Sequence, residues 1–147
     1  MTKLDEQDRL IIAALQENGR LSNMEIANRV NLSHSSCSRR IARLEKDGVI
    51  VGYRALTDRR KLGYTVHAFC EIVRDPSISW AELAEQMKDI EGVVSVYAVS
   101  GSVDIMVEIV AEDMPHYSEV VLQNLSCTPG VSAVQSTFVL AEIKSLY

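Results

Sequence analysis

Apolar residues recur at helical spacing through the first third of the chain and switch to strand-like alternation in the second half. Leu10, Ile11, Ala14 and Leu15 fall on one face of a predicted helix that Asp5 caps and Gly19 stops after about Asn18, with Leu4 ahead of the cap. A second helix opens at Ser22. Glu25, three residues on, completes a capping box, and Leu21 and Ile26 occupy the positions of a hydrophobic staple. This helix ends near Val30, where Asn31 tolerates the left-handed backbone of a tight turn. Ser33 caps a third helix that runs to Gly48, and its Cys37, Ile41 and Leu44 form a single apolar stripe. The second and third helices make a helix-turn-helix, and the first lies across them to complete a small three-helix core. Val49–Leu56 is β-rich and reads as a short strand or wing.

After a charged connector, Thr57–Gly63, the pattern changes. Strands are predicted near 65–74, 93–100, 104–112 and 131–141. A helix from Ser79 to about Ile90 has its own capping box, Ser79 with Glu82, and its own staple, Ile78 with Leu83. Another begins near Asp113, with Pro115 harmless in its first turn. A weak internal repeat runs through this half. Glu71-Ile72-Val73 recurs as Glu108-Ile109-Val110, and Gly92-Val93 with Val96 recurs as Gly130-Val131 with Val134. The order β-α-β-β-α-β is the ferredoxin-like arrangement, in which helices cover one sheet face. The predicted class is therefore α+β: a winged helix-turn-helix domain over residues 1–61 and a ferredoxin-like βαββαβ domain over 62–147. Both faces of the strands carry apolar residues (Val66, Ala68, Cys70 and Ile72 against Phe69 and Val73), so the face without helices calls for a second copy, a homodimer.

Charge sharpens the division. The whole chain carries a net charge of −5, which looks wrong for a protein that binds nucleic acid. Residues 1–61, however, hold 12 Lys and Arg against 8 Asp and Glu, while residues 62–147 hold 3 against 12. A basic half joined to an acidic half implies two partners, and any phosphate contact belongs to the first. The third helix supplies the surface for it. Away from its apolar stripe it presents hydroxyls and guanidiniums suited to phosphates and base edges in a major groove. Ser33, His34, Ser35, Ser36, Ser38, Arg39, Arg40 and Arg43 are the candidate contacts to double-stranded DNA, although an ordinary solvated basic face has the same composition.

In the second half, Ser100-Gly101-Ser102-Val103-Asp104 joins strands two and three. Gly101 lets the backbone present N–H groups to a carboxylate, and Asp104 can accept from an ammonium, so the loop suits an α-amino acid. A plain hairpin turn accounts for the same residues. His34, His67 and His116 lack metal-ligand spacing. No nucleophile elbow, P-loop or dinucleotide fingerprint marks an enzyme, and no cofactor is expected. Trp80 reads as a packing residue, and the three cysteines read as buried, reduced thiols of a cytoplasmic protein. MTKLDEQDR is too acidic and polar for a secretory signal. The uncharged run Val120–Ala141 holds too many polar residues, with Pro129 and Gly130, to span a membrane.

LSHSSCSRRIARLEKDGVIVGYRA, together with LDEQDRLIIAALQENGRLSNMEIA, resembles the DNA-binding half of the Lrp/AsnC transcriptional regulators, and VSGSVDIMVEI resembles their effector-binding loop. The resemblance spans nearly the whole chain. It implies a regulator of transcription that senses an amino acid, with Ser100, Gly101, Ser102, Val103 and Asp104 lining the effector site and Tyr97, Gln135 and Thr137 contributing from neighbouring strands. It also implies dimers that assemble to an octamer. The chain departs from the family pattern at His34 and Ser36, where prolines are frequent, and at Val103, where an aromatic residue is usual. The alternative is a metabolic protein or enzyme with a ferredoxin-like small-molecule site, whose helical domain does not touch DNA.

Overall fold

The computed structural model describes residues 3–143 and divides into two units, Met1–Leu56 and Thr57–Tyr147. In the first, α1 (Glu6–Glu17), α2 (Asn23–Arg29) and α3 (His34–Lys46) enclose a core of Ile11, Ala14, Ile26, Ala27, Val30, Cys37, Ile41 and Leu44. Local chemistry sets each helix boundary. Asp5 and Asp8 form a reciprocal capping box on α1, and Ser22 and Glu25 form one on α2. Ser33 Oγ accepts from the Ser36 N–H to open α3. Asn31 adopts φ 54° in the turn between α2 and α3, and Gly48 adopts φ 69° where α3 ends. Burial pushes the Cys37 thiol pKa up and keeps it in the neutral form of a packing residue.

The predicted strand over Val49–Leu56 does not form: no strand occurs there among the described residues. The N–H groups of Val49 and Ile50 both turn back to the Leu44 carbonyl, and the two side chains pack on the helical core. Among the described residues no strand pairs with this segment, so β-propensity has no ladder to act through. Val51 and Leu56 are left exposed, and the Tyr53 hydroxyl donates to Glu45 Oε1 at 2.8 Å.

The second unit contains β1 (Val66–Arg74), α4 (Trp80–Met87), β2 (Val93–Ala98), β3 (Ile105–Ala111), a broken helical stretch and β4 (Val131–Phe138). The sheet order is β2-β3-β1-β4, antiparallel throughout, as the ferredoxin-like arrangement requires. The second helix is not continuous. Its α5 (Met114–His116) opens from the Asp113 cap and passes through a π-helical turn, Tyr117–Leu122, into α6 (Gln123–Cys127). Val66, Ala68, Cys70 and Ile72 of β1 and Ile105, Val107 and Ile109 of β3 bury themselves against Leu83, Met87, Tyr117, Val121 and Leu125. The Tyr117 hydroxyl reaches Ser136 Oγ and lies 3.3 Å from Cys70 Sγ, and burial pushes its pKa up to about 12.

Trp80, read as a packing residue, and Cys127, read as a buried thiol, are both exposed. Trp80 stands at the first position of α4, whose core-facing positions are Leu83 and Met87. Cys127 lies at the end of α6, while Cys37 and Cys70 are buried as expected. The sheet face opposite the helices is partly open and mixed in chemistry. Cross-strand register puts Tyr97, Met106, Glu71 and Gln135 in one row across it, and Ser95, Glu108, Phe69 and Thr137 in the next. Among the described residues no helix is long and apolar enough to cross a membrane.

Candidate functional site

Helix α3 turns Cys37, Ile41 and Leu44 inward, and at about 100° per residue this places Arg39 on the opposite, outermost side. Ser33, His34, Ser35 and Arg39 are exposed, and Ser36 and Ser38 are half-buried. Ser38 Oγ accepts from Asn23 Nδ2 at 3.2 Å, which ties that flank of α3 to α2. Arg39 has no ion-pair or hydrogen-bond partner among the described side chains. Arg40 and Arg43 differ sharply from it. Arg40 Nη1 donates to Asp5 Oδ2 at 2.7 Å and to Asp8 Oδ1 at 2.8 Å, and Arg43 Nη2 donates to Asp8 Oδ2. Asp8 is completely buried, the one buried charged residue among those described. The carboxylates of Asp5 and Asp8 raise the Arg40 pKa further, and the Asp8 backbone N–H, followed by Arg40, holds the Asp5 carboxyl below its usual range. Two of the eight candidate DNA contacts are thus already engaged with α1.

The loop between β2 and β3 shows a similar prior engagement. Gly101 is exposed, with φ 139° and open space where a side chain would project. Asp104 accepts from the Arg74 backbone N–H at 3.0 Å and from Arg74 Nε at 3.1 Å, while Arg74 Nη1 donates to the Ile78 carbonyl at 2.6 Å. The loop is stapled by this pair to the end of β1 and the approach to α4. Tyr97 lies on the open sheet face near the loop. Gln135 and Thr137 lie on the same face but on edge strand β4, with β3 and β1 between them and Tyr97. At about 4.8 Å per strand, Tyr97 and Gln135 are roughly 14 Å apart. Two surface depressions, one beside Ile78, Glu82 and Gly130 and one beside His67, Met114 and Phe138, include none of the candidate effector residues.

A polar cluster crosses the second row of that face. Glu108 accepts from Arg59 Nη2 at 2.8 Å and from Ser95 Oγ at 3.1 Å, and His67 Nε2 lies 3.0 Å from it. Burial alone would raise the Glu108 pKa, but the hydrogen bonds of Arg59, Ser95 and His67 outweigh it and hold the carboxyl below its usual range. No group of three His, Cys, Asp or Glu suited to a metal occurs among the described residues.

Residues 4–51 match a family of winged helix-turn-helix DNA-binding domains, and residues 67–147 match the Lrp/AsnC ligand binding domain. The chain belongs to the Lrp/AsnC family. A leucine-responsive regulatory protein of Rhizobium meliloti is 33% identical over 144 residues, covering 97% of this chain and 92% of that one. The crystal structure of a Neisseria meningitidis transcriptional regulator in complex with L-Met superposes with a TM-score of 0.92 at 36% identity, covering 97% of this chain and 94% of that one. A feast or famine regulatory protein of Mycobacterium tuberculosis complexed with L-methionine gives 0.91 at 30% identity, with 97% and 96% covered. As a member of this family, the chain is a DNA-binding transcriptional regulator with a ligand-binding second unit, and the metabolic alternative for its helical domain falls away.

Several residues of this Lrp/AsnC regulator escaped the sequence reading: Asp5 and Asp8 as partners of α3, Arg74 as partner of Asp104, and the Arg59–His67–Glu108 cluster. One signal was present. Asp8 stands three residues before Ile11 on the core side of α1, where an acidic side chain has to find a buried cation.

Proposed function

We propose that the chain regulates transcription in response to an amino acid, with the outer face of α3 as its DNA-reading surface. The observation that carries this is the free guanidinium of Arg39, flanked by exposed Ser35 and half-buried Ser36, opposite the buried stripe of a helix inside a DNA-binding domain. Ser33 and His34 at the helix start and Ser38 on its flank complete the face, while Arg40 and Arg43 stand at its boundary with α1. The effector is an amino acid by analogy with the two methionine complexes, held by the Ser100, Gly101, Ser102 and Val103 backbone with Asp104 and Tyr97 beside it. Gln135 and Thr137 of the same chain stand on the far edge of the sheet, so they serve the site best when supplied by another copy. A homodimer packed through the open sheet face fits this geometry, and higher assembly up to an octamer rests on the family resemblance. Paired α3 helices would then meet successive major grooves about 34 Å apart.

Titrating the protein against its own upstream DNA at several salt concentrations, with and without a panel of amino acids, tests the reading. Binding should weaken steeply with salt and shift with at least one amino acid. Salt-insensitive binding, or indifference to the whole panel, would contradict it.

A further inference from the structure

The outer face of α3 carries less free charge than its sequence promises. Arg40 and Arg43 face two carboxylates, Asp5 and Asp8, so the four groups sum to zero. Asp8 is the centre of this arrangement. It is fully buried, its Oδ1 and Oδ2 each take one guanidinium, and Oδ2 also accepts from the Asp5 backbone N–H. A buried carboxylate satisfied this completely gives its partners up only at a large desolvation penalty. The Arg40 side chain is 24% exposed and Arg43 44% exposed, so both sit at the edge of the DNA-facing surface while their charge is spent internally.

We propose that Asp8 is a specificity-setting positioning residue that withholds Arg40 and Arg43 from DNA phosphates and so suppresses sequence-independent binding. Phosphate contacts add affinity for every sequence equally, whereas base-edge contacts discriminate. With two guanidiniums neutralised on α1, the contacts left to α3 are Arg39, Lys46, His34 and the hydroxyls of its first turns, and discrimination rises as general affinity falls. The inference rests on the reading of α3 as the DNA-facing helix.

The test uses the full chain, a scrambled duplex of about 30 base pairs and a duplex of its own upstream region, each over a range of salt. Each released guanidinium should steepen the log K against log salt slope by about 0.9. Asp8→Asn is expected to bind the scrambled duplex more tightly, with the slope steeper by about 1 and a smaller preference for the upstream duplex. Adding Asp5→Asn, which keeps the helix cap because Asn caps as well as Asp, should bring the change to about 2. Arg43→Gln, which leaves Asp8 paired with Arg40, should not alter the slope of the otherwise unchanged protein. A slope that falls by about 0.9 in Arg43→Gln would overturn the proposal, and this variant decides the matter should Asp8→Asn not fold. An unchanged slope in folded Asp8→Asn overturns it equally. Arg39→Ala separates the two levels. If it flattens the slope while Asp8→Asn is silent, only the withholding role fails; if it too is silent, the reading of α3 fails with it.

Discussion

Asp104 is a carboxylate with two claims on it. The geometry gives it to Arg74, through a backbone N–H and Nε, while the proposed effector ammonium needs the same oxygens. Both side chains are about one-third exposed, so the pair is screened and contributes roughly 1 kcal/mol rather than the value of a buried pair. Asp104→Ala should therefore lower the stability of the second unit by about that amount and weaken binding of the best amino acid. If Asp104 acts by positioning the loop, calorimetry on Arg74→Gln should show a matching loss; a loss confined to Asp104→Ala would mean direct contact with the ammonium. Glu108 makes a pH prediction. Its folded pKa lies below the ordinary 4.5, so its ionised form stabilises the fold fully above that value and the contribution disappears as pH falls beneath it. Melting temperatures followed downward from pH 6 should drop less steeply below 4.5 in Glu108→Gln than in the parent protein. Parallel curves would show that the Arg59–His67–Glu108 cluster contributes nothing to acid stability.

Between elements, the turns carry the demands. The internal repeat places Gly92 and Gly130 at equivalent turns into β2 and β4, and both have positive φ, 80° and 92°. A Cβ on Gly92 would meet the Val110 backbone carbonyl oxygen at 2.6 Å, and one on Gly130 would meet the Ile78 side chain at the same distance. A carbonyl in a sheet cannot step aside, whereas Ile78 can change rotamer. Chemical denaturation should therefore show Gly92→Ala costing roughly 2–4 kcal/mol, Gly130→Ala less, and Gly101→Ala, with open space around it, only the backbone penalty of about 1–2 kcal/mol. Equal costs at all three would mean that φ alone governs these turns. Caps and glycine turns were legible in the sequence because their partners lie three or four residues apart. The Arg40–Asp8, Arg74–Asp104 and Arg59–Glu108 pairs span 32, 30 and 49 residues, and no local pattern announces them. The β-rich Val49–Leu56 misled for the opposite reason, since local propensity was present and a ladder partner was not.

At the scale of the whole molecule, the proposed assembly of copies rests on the open sheet face. Phe69, Val73, Tyr97, Met106 and Ala133 share it with Glu71, Glu108 and Gln135, so it is neither a solvated surface nor a finished core. A single helix-turn-helix reads only one half-site, and two copies joined through this face would present a pair whose second contact gains from effective concentration. Met106 offers a clean probe, because it pairs with Glu71 on β1 and with Tyr97 on β2 near the middle of the face. In the separate chain, Met106→Lys gains a cross-strand partner in Glu71, so the monomer fold should hold with its circular dichroism unchanged. In a packed interface the same ammonium would be desolvated against a second apolar face at a cost of several kcal/mol. Sedimentation should then show the parent chain as a dimer or larger and Met106→Lys as a monomer, with weaker binding to DNA carrying two half-sites and unchanged binding to one half-site. An unchanged mass would move the interface elsewhere, to exposed apolar residues such as Val51 and Leu56 or Leu140 and Ile143.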